Sequence, residues 1–443
     1  MLSLEDIKKD AKYYEIAEKD VSGVKQLHYD TFTNNIYYSR LLFDARVVDK
    51  EQLPYLKLLS YLLGKLNTEN YTFGELDNQL NMHTGGFSTR LTSYLENNRD
   101  DNLQPKFMVQ SKALQDKADK MMELTEEVLI RSKIDDKERL KTLLTRHQSR
   151  QYNKVMRRGM SLAMTRLRSY FSNEGRMQEI TNGYTYYQFV TDLKENYNDK
   201  YDEIVRNLEE VAGLVCNKNN LTSAITCSAK DLPNYNKALK KCLANLGSDN
   251  IQLQEWNFEF ANKNEAMMSP SKVQYVTKGY NFKKLGHDYN GKIRVLDQIV
   301  SRDWLTQQLR VIGGAYGGFA GFARDGNVYF ASYRDPNLKK TLDNIDSTVQ
   351  YLENFDPAED EMTRYIIGTI SNLDQPRSPS QEGNAALHYY MTGITREELQ
   401  AERNAVLATT VKDIRNMSSF VENILENSAI CVYGNEDKIK SQK

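Results

Sequence analysis

Residues Trp304–Asp325 read WLTQQLRVIGGAYGGFAGFARD and join three structural patterns in one short stretch. A helix with Val295, Ile299 and Leu305 on its apolar side is predicted to run into a loop within this stretch. Four glycines within the six residues 313–318 then predict a loop, and a strand pattern follows it. The order along the chain is therefore helix, glycine-rich loop, strand.

Three interpretations of this loop remain open from its residue types. A phosphate-binding loop is the weakest, because such loops end in Gly-Lys-Ser/Thr or open a helix after a strand. The glycines could instead form a hinge that lets the helix pack closely on a sheet edge. In the third interpretation they admit another backbone beside Arg310 and Tyr316, whose side chains can donate to a carbonyl oxygen or a developing oxyanion. That arrangement would suit a peptide-processing site with its electrophile supplied elsewhere.

The strings around the loop recur once in the first half of the chain. Thr84–Phe87 resembles Tyr316–Phe319, Phe107–Ser111 before a helical Ala113–Arg131 resembles Val328–Ser332 before a helical Asn337–Leu352, and Ser223–Cys227 resembles Ser428–Cys431. Because the order is kept, we predict two diverged copies of one domain of about 200 residues. We place the domains at 21–247 and 248–443, joined within the polar stretch Gly247–Ser271, and expect residues 1–20 to be the remnant of a linker helix.

Short strand patterns and longer helical patterns alternate along both halves, which predicts a mixed chain whose strands are covered by helices. A helix is predicted over Glu51–Leu66, with Pro54 in its first turn. The strand patterns are rich in β-branched and aromatic residues. They are Asn35–Phe43, Phe107–Val109, Ser223–Ser228, Val273–Val276, Val328–Tyr333 and Ser428–Tyr433.

The helical stretch Asp135–Phe171 is strongly basic. Its arginines are Arg146, Arg150, Arg157, Arg158, Arg166 and Arg168. One interpretation is a solvated helix face that also pairs with acidic neighbours. The other is a cavity wall that attracts acidic or extended peptide. A nucleic-acid role is disfavoured, because no base-stacking aromatics are interleaved with these charges.

Composition excludes several classes of protein. The 443 residues contain 59 Lys and Arg against 60 Asp and Glu, a net charge of −1 that argues against a nucleic-acid partner. No apolar run approaches the roughly 20 residues of a membrane span, and the charged N-terminus has no signal-peptide pattern, so we expect no membrane partner. The four Cys form no C-x-x-C pair, and the five His are too far apart for H-E-x-x-H or H-x-x-E-H. We therefore expect no metal site on this chain.

Three strings together carry a family resemblance. They are Arg310–Phe319 (RVIGGAYGGF), Ser332–Asp343 (SYRDPNLKKTLD) and Ile366–Ile370 (IIGTI). Leu27–Ile36 and His83–Gly86 agree with it in the first half. These residues resemble the C-terminal half of the presequence-protease branch of the pitrilysin/insulinase-type zinc metallopeptidases, and the similarity runs from about residue 20 to 435.

The resemblance implies an α+β fold of two homologous pitrilysin/insulinase-type domains, each a mostly antiparallel sheet covered by helices. Family members are about twice this length, and their two halves close around a chamber that takes unstructured peptides. Zinc is the cofactor of the full-length enzyme, bound by an N-terminal half that this chain lacks. The helix equivalent to the zinc-binding one, Leu53–Leu66, contains neither His nor Glu.

By the same resemblance, Arg310 and Tyr316 reach across to complete the active site of the other half, and Gly313, Gly314, Ala315 and Gly317 contact substrate. We expect the chain to pair with the N-terminal half of the same peptidase, to be inactive alone, and to be a fragment rather than a separately encoded subunit. We expect a bacterial cytoplasmic location. The alternative is a catalytically silent binding or assembly subunit of the same superfamily.

Overall fold

Two β-sheets form the frame of the protein, whose computed structural model describes residues 3–97 and 102–441. The strands of the first sheet are β1 (Ala17–Val21), β2 (Val24–Asp30), β3 (Ile36–Asp44), β4 (Gly86–Leu95), β5 (Leu103–Leu114) and β6 (Leu221–Cys227). Those of the second are β7 (Asn264–Ser269), β8 (Tyr275–Asn281), β9 (Gly317–Phe322), β10 (Asn327–Tyr333) and β11 (Ala429–Asn435). Each sheet is therefore built by one half of the chain.

Helices cover both sheets. In the first half they are α1 (Leu53–Leu62), α2 (Phe73–His83), α3 (Ala118–Ile130), α4 (Lys137–Arg157), α5 (Gly159–Arg168), α6 (Asn173–Asn182), α7 (Tyr184–Glu195), α8 (Tyr197–Val215) and α9 (Leu232–Asn245). In the second they are α10 (Lys292–Ile299), α11 (Lys339–Asp346), α12 (Thr348–Glu353), α13 (Glu359–Leu373), α14 (Pro379–Thr392), α15 (Arg396–Leu407), α16 (Val411–Asn416), α17 (Ser418–Glu426) and α18 (Glu436–Lys440). A π-helix, Val300–Ile312, continues α10.

The two sheets share one topology. Their strand orders are β1-β2-β6-β3-β5-β4 and β7-β11-β8-β10-β9. β2 pairs with β6 and β7 with β11 in parallel, and the other neighbours are antiparallel. The five strands β2 to β6 therefore correspond in order to β7 to β11, and β1 is an additional edge strand.

The repeated strings lie on these equivalent strands. The two Gly-Gly-Phe strings lie where β4 and β9 begin, at the same edge of each sheet. The second pair of strings falls in β5 and β10, and the third in β6 and β11. The predicted α+β fold with mostly antiparallel, helix-covered sheets is confirmed, while the domain boundary at 247/248 stays a prediction.

Each half has its own apolar core. α8 shows how sequence spacing places a helix, because Ile204, Leu208, Val211 and Val215 recur on one face and are all buried in the first core. In the second core Leu305 and Leu309 of the π-helix lie with Phe330 of β10. No helix in the described part of the chain is long and apolar enough to cross a membrane.

Each half also sends one helix to the opposite sheet. α5 packs on β8, β10 and β11, and α14 packs on β2, β4 and β6. Both helices cross their sheet at a glycine: a Cβ at Gly159 would lie 2.5 Å from the Tyr433 ring, and one at Gly383 would lie 1.8 Å from Thr226 Oγ1. The exchange ties the halves together through side chains that a sequence pattern does not pair.

Several of the predicted helices need correction. Residues 3–20 form a short 3-10 turn at Leu4–Asp6 and the start of β1 rather than a linker helix. Arg403 Nε donates to the Lys8 carbonyl (2.8 Å) and the Ala11 amide to Gln400 (2.8 Å), so side chains of α15 bind backbone groups that a helix would have used. The helix predicted over 113–131 begins at Ala118, because β5 extends to Leu114.

The basic stretch 135–171 is two helices rather than one. α4 ends at Arg157, and α5 begins at Gly159 after Arg158 leaves helical geometry (φ −118°, ψ 48°). The break turns α5 onto the second sheet, where Leu162, Ala163 and Leu167 are buried beside Cys431. The helical pattern of the sequence continues across residues 135–171, but the packing of α5 on the second sheet divides the stretch into two helices.

The polar stretch between the halves follows the first core. Residues 248–263 contain no helix or strand. The Gln254 amide donates to the Arg46 carbonyl (2.7 Å), and Trp256 Nε1 donates to the Val48 carbonyl (2.9 Å). The segment is therefore bound to the first half before β7 begins.

His147 of α4 is a buried imidazole with a distinct electrostatic environment. Its ring stacks on Tyr61 with centroids 4.0 Å apart, and Nε2 lies 2.9 Å from the Tyr186 hydroxyl. Burial lowers its pKa to about 3, and the positive charges of Lys57, Lys65, Arg150 and Lys154 act in the same direction. The folded protein therefore holds this side chain neutral.

We expect His147 to make the protein less stable in acid. Between pH 6.5 and about 3, His147 is protonated in the unfolded chain but stays neutral in the folded protein. The contribution of neutral His147 to the free energy of unfolding is therefore complete above pH 6.5 and decreases as the pH falls. At pH 4.5 the loss should be about 2–3 kcal/mol. The free energy of unfolding, measured in urea at pH 4.5 and 7.5, should differ less between the two pH values in His147→Gln than in the wild type or in His83→Gln. An unchanged pH difference in His147→Gln would contradict this.

Candidate functional site

Arg310 lies on the last turn of the π-helix. Val300, Leu305 and Leu309 fix this helix in the second core, and Arg310 on the opposite side is exposed. The turns of a π-helix are wider than those of an α-helix. A side-chain hydrogen bond follows the same spacing, because Thr306 Oγ1 donates to the Ser301 carbonyl five residues earlier (2.9 Å). π-Helical segments are uncommon and occur often at functional sites.

The glycine-rich loop closes the helix and opens β9. The Gly314 amide donates to the Arg310 carbonyl (3.2 Å) and the Ala315 amide to the Leu309 carbonyl (2.9 Å). Gly314 has φ +80°, a left-handed conformation that side chains with a Cβ rarely adopt. The Tyr316 amide then donates to the Tyr333 carbonyl (2.9 Å). The backbone that leads into Tyr316 is therefore held by hydrogen bonds to the helix and to β10.

The Ser332–Leu338 segment holds the loop from β10. Asn337 Nδ2 donates to the Gly313 carbonyl (2.7 Å). Asp335, which is fully buried, orients Asn337 by accepting from its amide (2.8 Å). Arg334 has φ +50° and places its guanidinium 5.4 Å from the centroid of the Tyr316 ring. Two of the strings that carry the family resemblance are thus in direct contact.

The surface around the loop is unusually apolar for an exposed region. Tyr316 is 68% exposed, Val311 65% and Ile312 55%, and Phe319 is exposed as well. Contiguous exposed apolar side chains of this kind mark interaction surfaces. The Arg310 guanidinium and the Tyr316 hydroxyl are thus two hydrogen-bond donors set among apolar groups.

A cavity of about 680 Å³ extends from Arg310 along the outer side of the π-helix. Its lining comprises Arg294, Asp297, Gln298, Ser301, Arg302, Thr306, Arg310, Gly318, Phe319, Thr369, Asn372 and Leu373. Burial raises the pKa of the Asp297 carboxyl to about 6. Asp297 and Arg302 were not among the site residues predicted from the sequence. The available signal was their helical spacing from Arg310 on a helix that leads into the loop.

The other four predicted site residues differ in exposure. Gly314 is exposed and Gly313 half-buried, whereas Ala315 and Gly317 are buried. The Gly313 carbonyl and the Ala315 amide already have partners within the chain. Gly318, next to Gly317, has a further constraint, since a Cβ there would lie 2.7 Å from the Leu305 carbonyl oxygen. These residues shape the loop, and substrate contact by Gly313, Gly314, Ala315 and Gly317 stays a prediction.

The part of the chain that the structure describes offers no group of side chains that fits a zinc ion. In residues 3–97 and 102–441, no three His, Cys, Asp or Glu side chains are grouped so that they could hold a metal. His28 Nε2 lies 2.9 Å from the Cys227 carbonyl, and His287 Nε2 lies 3.0 Å from Asn423 Oδ1. No chemical step is therefore assigned to a metal on this chain.

Comparison with known proteins places this geometry in a family. Residues 1–193 match the family model of the domain associated with M16 peptidases of subfamily C, and residues 264–433 match that of the PreP C-terminal domain. The chain belongs to the M16 peptidase family. It corresponds to a C-terminal half of such a peptidase, as its two family models and its relatives indicate.

The M16 relatives include a bacterial and a plant protein. Protein HypA of Clostridium perfringens is 36% identical over 100% of the chain, which covers 45% of that protein. Presequence protease 1, chloroplastic/mitochondrial, of Arabidopsis thaliana is 31% identical over 98% of the chain, which covers 41% of it. The chain therefore spans less than half the length of these two relatives.

Solved M16 structures share the fold at low sequence identity. The inactive domain of an M16 peptidase from Pseudomonas fluorescens matches 95% of the chain with a TM-score of 0.66 and 14% identity, over 98% of that structure. Pitrilysin matches 96% of the chain with a TM-score of 0.63 and 13% identity, over 44% of its own length. The whole two-sheet arrangement thus corresponds to one half of pitrilysin.

Proposed function

We propose that this chain is the C-terminal, non-zinc half of a peptide-degrading zinc metalloendopeptidase. It closes against an N-terminal half and contributes Arg310 and Tyr316 to the active site there. The observation that carries the proposal is the pair of exposed donors at one tightly held glycine-rich loop. Asn337, Tyr333 and the π-helix bind the loop backbone, while both functional side chains stay exposed.

The arrangement suits stabilisation of a carbonyl oxygen as negative charge develops on it. A guanidinium and a phenol hydroxyl are both donors, and a loop fixed in advance costs little reorganisation when the reaction occurs. The apolar side chains Val311, Ile312 and Phe319 would exclude water once the halves close, which strengthens both interactions. Because the donors and the metal lie on different halves, activity requires closure.

The substrates we propose are unstructured peptides, a class that accommodates the presequences mentioned in the names of several relatives. A chamber formed between two halves selects by size and by lack of folded structure. We propose a cytoplasmic location in a bacterium. The competing proposal, a catalytically silent binding or assembly subunit, would give exposed Arg310 and Tyr316 no chemical role.

The test uses the chain alone and paired with a matching N-terminal half that carries the H-x-x-E-H motif. Alone, the chain should bind no stoichiometric zinc and cleave no unstructured peptide. The mixture should form a complex and cleave the peptide, with the activity lost on chelation. One tightly bound zinc per isolated chain, or chelator-sensitive cleavage by it, would contradict the proposal. A complex without any gain in cleavage would favour the silent subunit.

A further inference from the structure

A group of cationic side chains on α1 and α4 has no role in the proposed function. We call it the α1–α4 cationic cluster and define it as Lys57, Lys65, Arg150 and Lys154. Lys57 lies on α1, Lys65 lies in the turn that follows it, and Arg150 and Lys154 share one face of α4. Arg150 and Lys154 belong to the basic stretch 135–171, for which the sequence left two interpretations open.

Two members of the cluster, Lys65 and Arg150, lie at a single aromatic ring. The Lys65 ammonium lies 4.4 Å and the Arg150 guanidinium 5.7 Å from the centroid of Tyr61. His147 stacks on the same ring at 4.0 Å. Lys57 and Lys154 are near enough to each other and to His147 for their charges to affect one another. All four cations act on His147 and form one site, in which Lys57, Lys65 and Lys154 are half-buried and Arg150 is exposed.

Carboxylate partners are missing from this site. Within residues 3–97 and 102–441, none of the four cations forms a salt bridge, and the Lys57 ammonium has no hydrogen-bond partner. Among the described residues, the Lys65 and Lys154 ammonium groups donate only to the carbonyls of Tyr61 and Asn182. Glu179, the acid that acts on Lys154, is bound to Arg166 (3.2 Å).

The later arginines of the same stretch behave differently. Arg166 pairs with Glu179 and Glu265, and Arg168 pairs with Glu174. Pairing with acidic neighbours thus accounts for the charges of Arg166 and Arg168 at the end of the stretch. It does not account for the charges of the α1–α4 cationic cluster.

Burial makes this arrangement costly. It lowers the pKa of both Lys57 and Lys65 to about 8, and neighbouring cations act in the same direction. The imidazole Nδ1 of His147, a side chain that is 4% exposed, also has no hydrogen-bond partner. Half-buried cations of like sign without a counter-charge destabilise a fold, and a bound anion would remove that cost.

We propose that the α1–α4 cationic cluster is a binding site for a polyvalent oxyanion, with Lys57, Lys65 and Arg150 as its main charged ligands. The chemistry is that of phosphate groups or of clustered carboxylates, since both present several oxygen acceptors to ammonium and guanidinium donors. The chain as a whole carries a net charge of −1, so general attraction of anions does not account for such binding. Anion binding at this site does not require peptidase activity, so the test of this proposal is independent of the proposed function.

The test measures binding by calorimetry at low ionic strength, with inorganic triphosphate in one arm and a hexa-glutamate peptide in the other. The full chain should bind at least one of them with one site per chain. Lys57→Gln and Arg150→Gln should each weaken that binding about tenfold. Lys141→Gln is the matched control, because Lys141 is an exposed lysine of α4 beside Tyr197 (5.8 Å).

The outcomes separate the sources of the ligand. Binding of triphosphate alone assigns the site to phosphate, binding of the peptide alone assigns it to acidic peptide, and binding of both supports the shared chemistry. Without ligand, Lys57→Gln should melt at a higher temperature than the wild type, because it removes a half-buried charge that has no partner among the described residues. No saturable binding in either arm, or equal affinities for Lys57→Gln, Arg150→Gln and Lys141→Gln, would overturn the proposal.

Discussion

Tyr316→Phe in the enzyme assembled from both halves should lower kcat about 10²–10³-fold. The substitution removes one hydroxyl and keeps the ring that Arg334 covers at 5.4 Å, so the loop should retain its shape. Because the hydroxyl would act on charge that develops during the reaction, kcat and kcat/KM should fall together. Peptide cleavage is measured under saturating and limiting substrate, with complex formation and zinc content checked in parallel.

Arg310→Ala should produce a loss of similar size, about 10²-fold in kcat/KM. Tyr152→Phe and Arg364→Ala are matched controls, because each removes the same type of group from an exposed position away from the loop. They should cleave peptide at the wild-type rate. Wild-type rates in both Tyr316→Phe and Arg310→Ala would refute the roles assigned to these residues and leave the silent subunit as the better account.

Arg166→Met should cost about 3–5 kcal/mol of unfolding free energy. Arg166 of α5 binds Glu265 of β7 through two nitrogens (2.7 and 3.0 Å) and Glu179 of α6 through a third (3.2 Å). Glu179 is fully buried, so the variant leaves its carboxylate without the main compensating charge. The network also joins α5 to the second sheet, and its loss should loosen that helix.

Urea unfolding and limited proteolysis measure this effect. Lys241→Met is the control, because its ion pair with Asp119 (2.7 Å) is more than half exposed on both sides. Exposed pairs contribute less than about 1 kcal/mol. Equal stability losses in the two variants would show that the Arg166 network does not hold the helix. Earlier proteolysis near Arg158 in Arg166→Met would identify α5 as the element released.

The prediction of helices and strands succeeded where a local pattern was sufficient. Strand patterns of β-branched and aromatic residues at 35–43 and 328–333 correspond to β3 and β10, because the residues that favour extended backbone are the ones the sheets bury. Residues 1–20 were predicted as a linker helix, but among residues 3–20 the helical geometry is limited to the 3-10 turn Leu4–Asp6. Their backbone groups are bound by the side chains of Arg403 and Gln400. These residues lie far away in sequence, so a local sequence pattern could not predict the contacts.

Local sequence patterns also predicted one part of the candidate site and missed another. Arg310, Tyr316 and the glycines between them stand in one stretch and were accessible to a pattern and to a family resemblance. Asp297 was not, because its raised pKa comes from burial beside α13, and burial depends on which helices meet. The role of Asn337 was equally hidden, since its bond to the Gly313 carbonyl joins residues separated by a strand hairpin.

By itself, the sequence determined the internal repeat, the mixture of strands with helices that cover them, and the position of the glycine-rich loop, because each depends on residue types at short and regular spacing. The α+β class came from the family resemblance. Only the tertiary structure decided that α5 and α14 cross to opposite sheets and that the basic stretch divides at Arg158. It also decided which cations find acidic partners and which remain together around Tyr61. The physical reason is that pairing, burial and the exchange of helices depend on contacts between distant segments, and the spacing of residues along the chain does not specify those contacts.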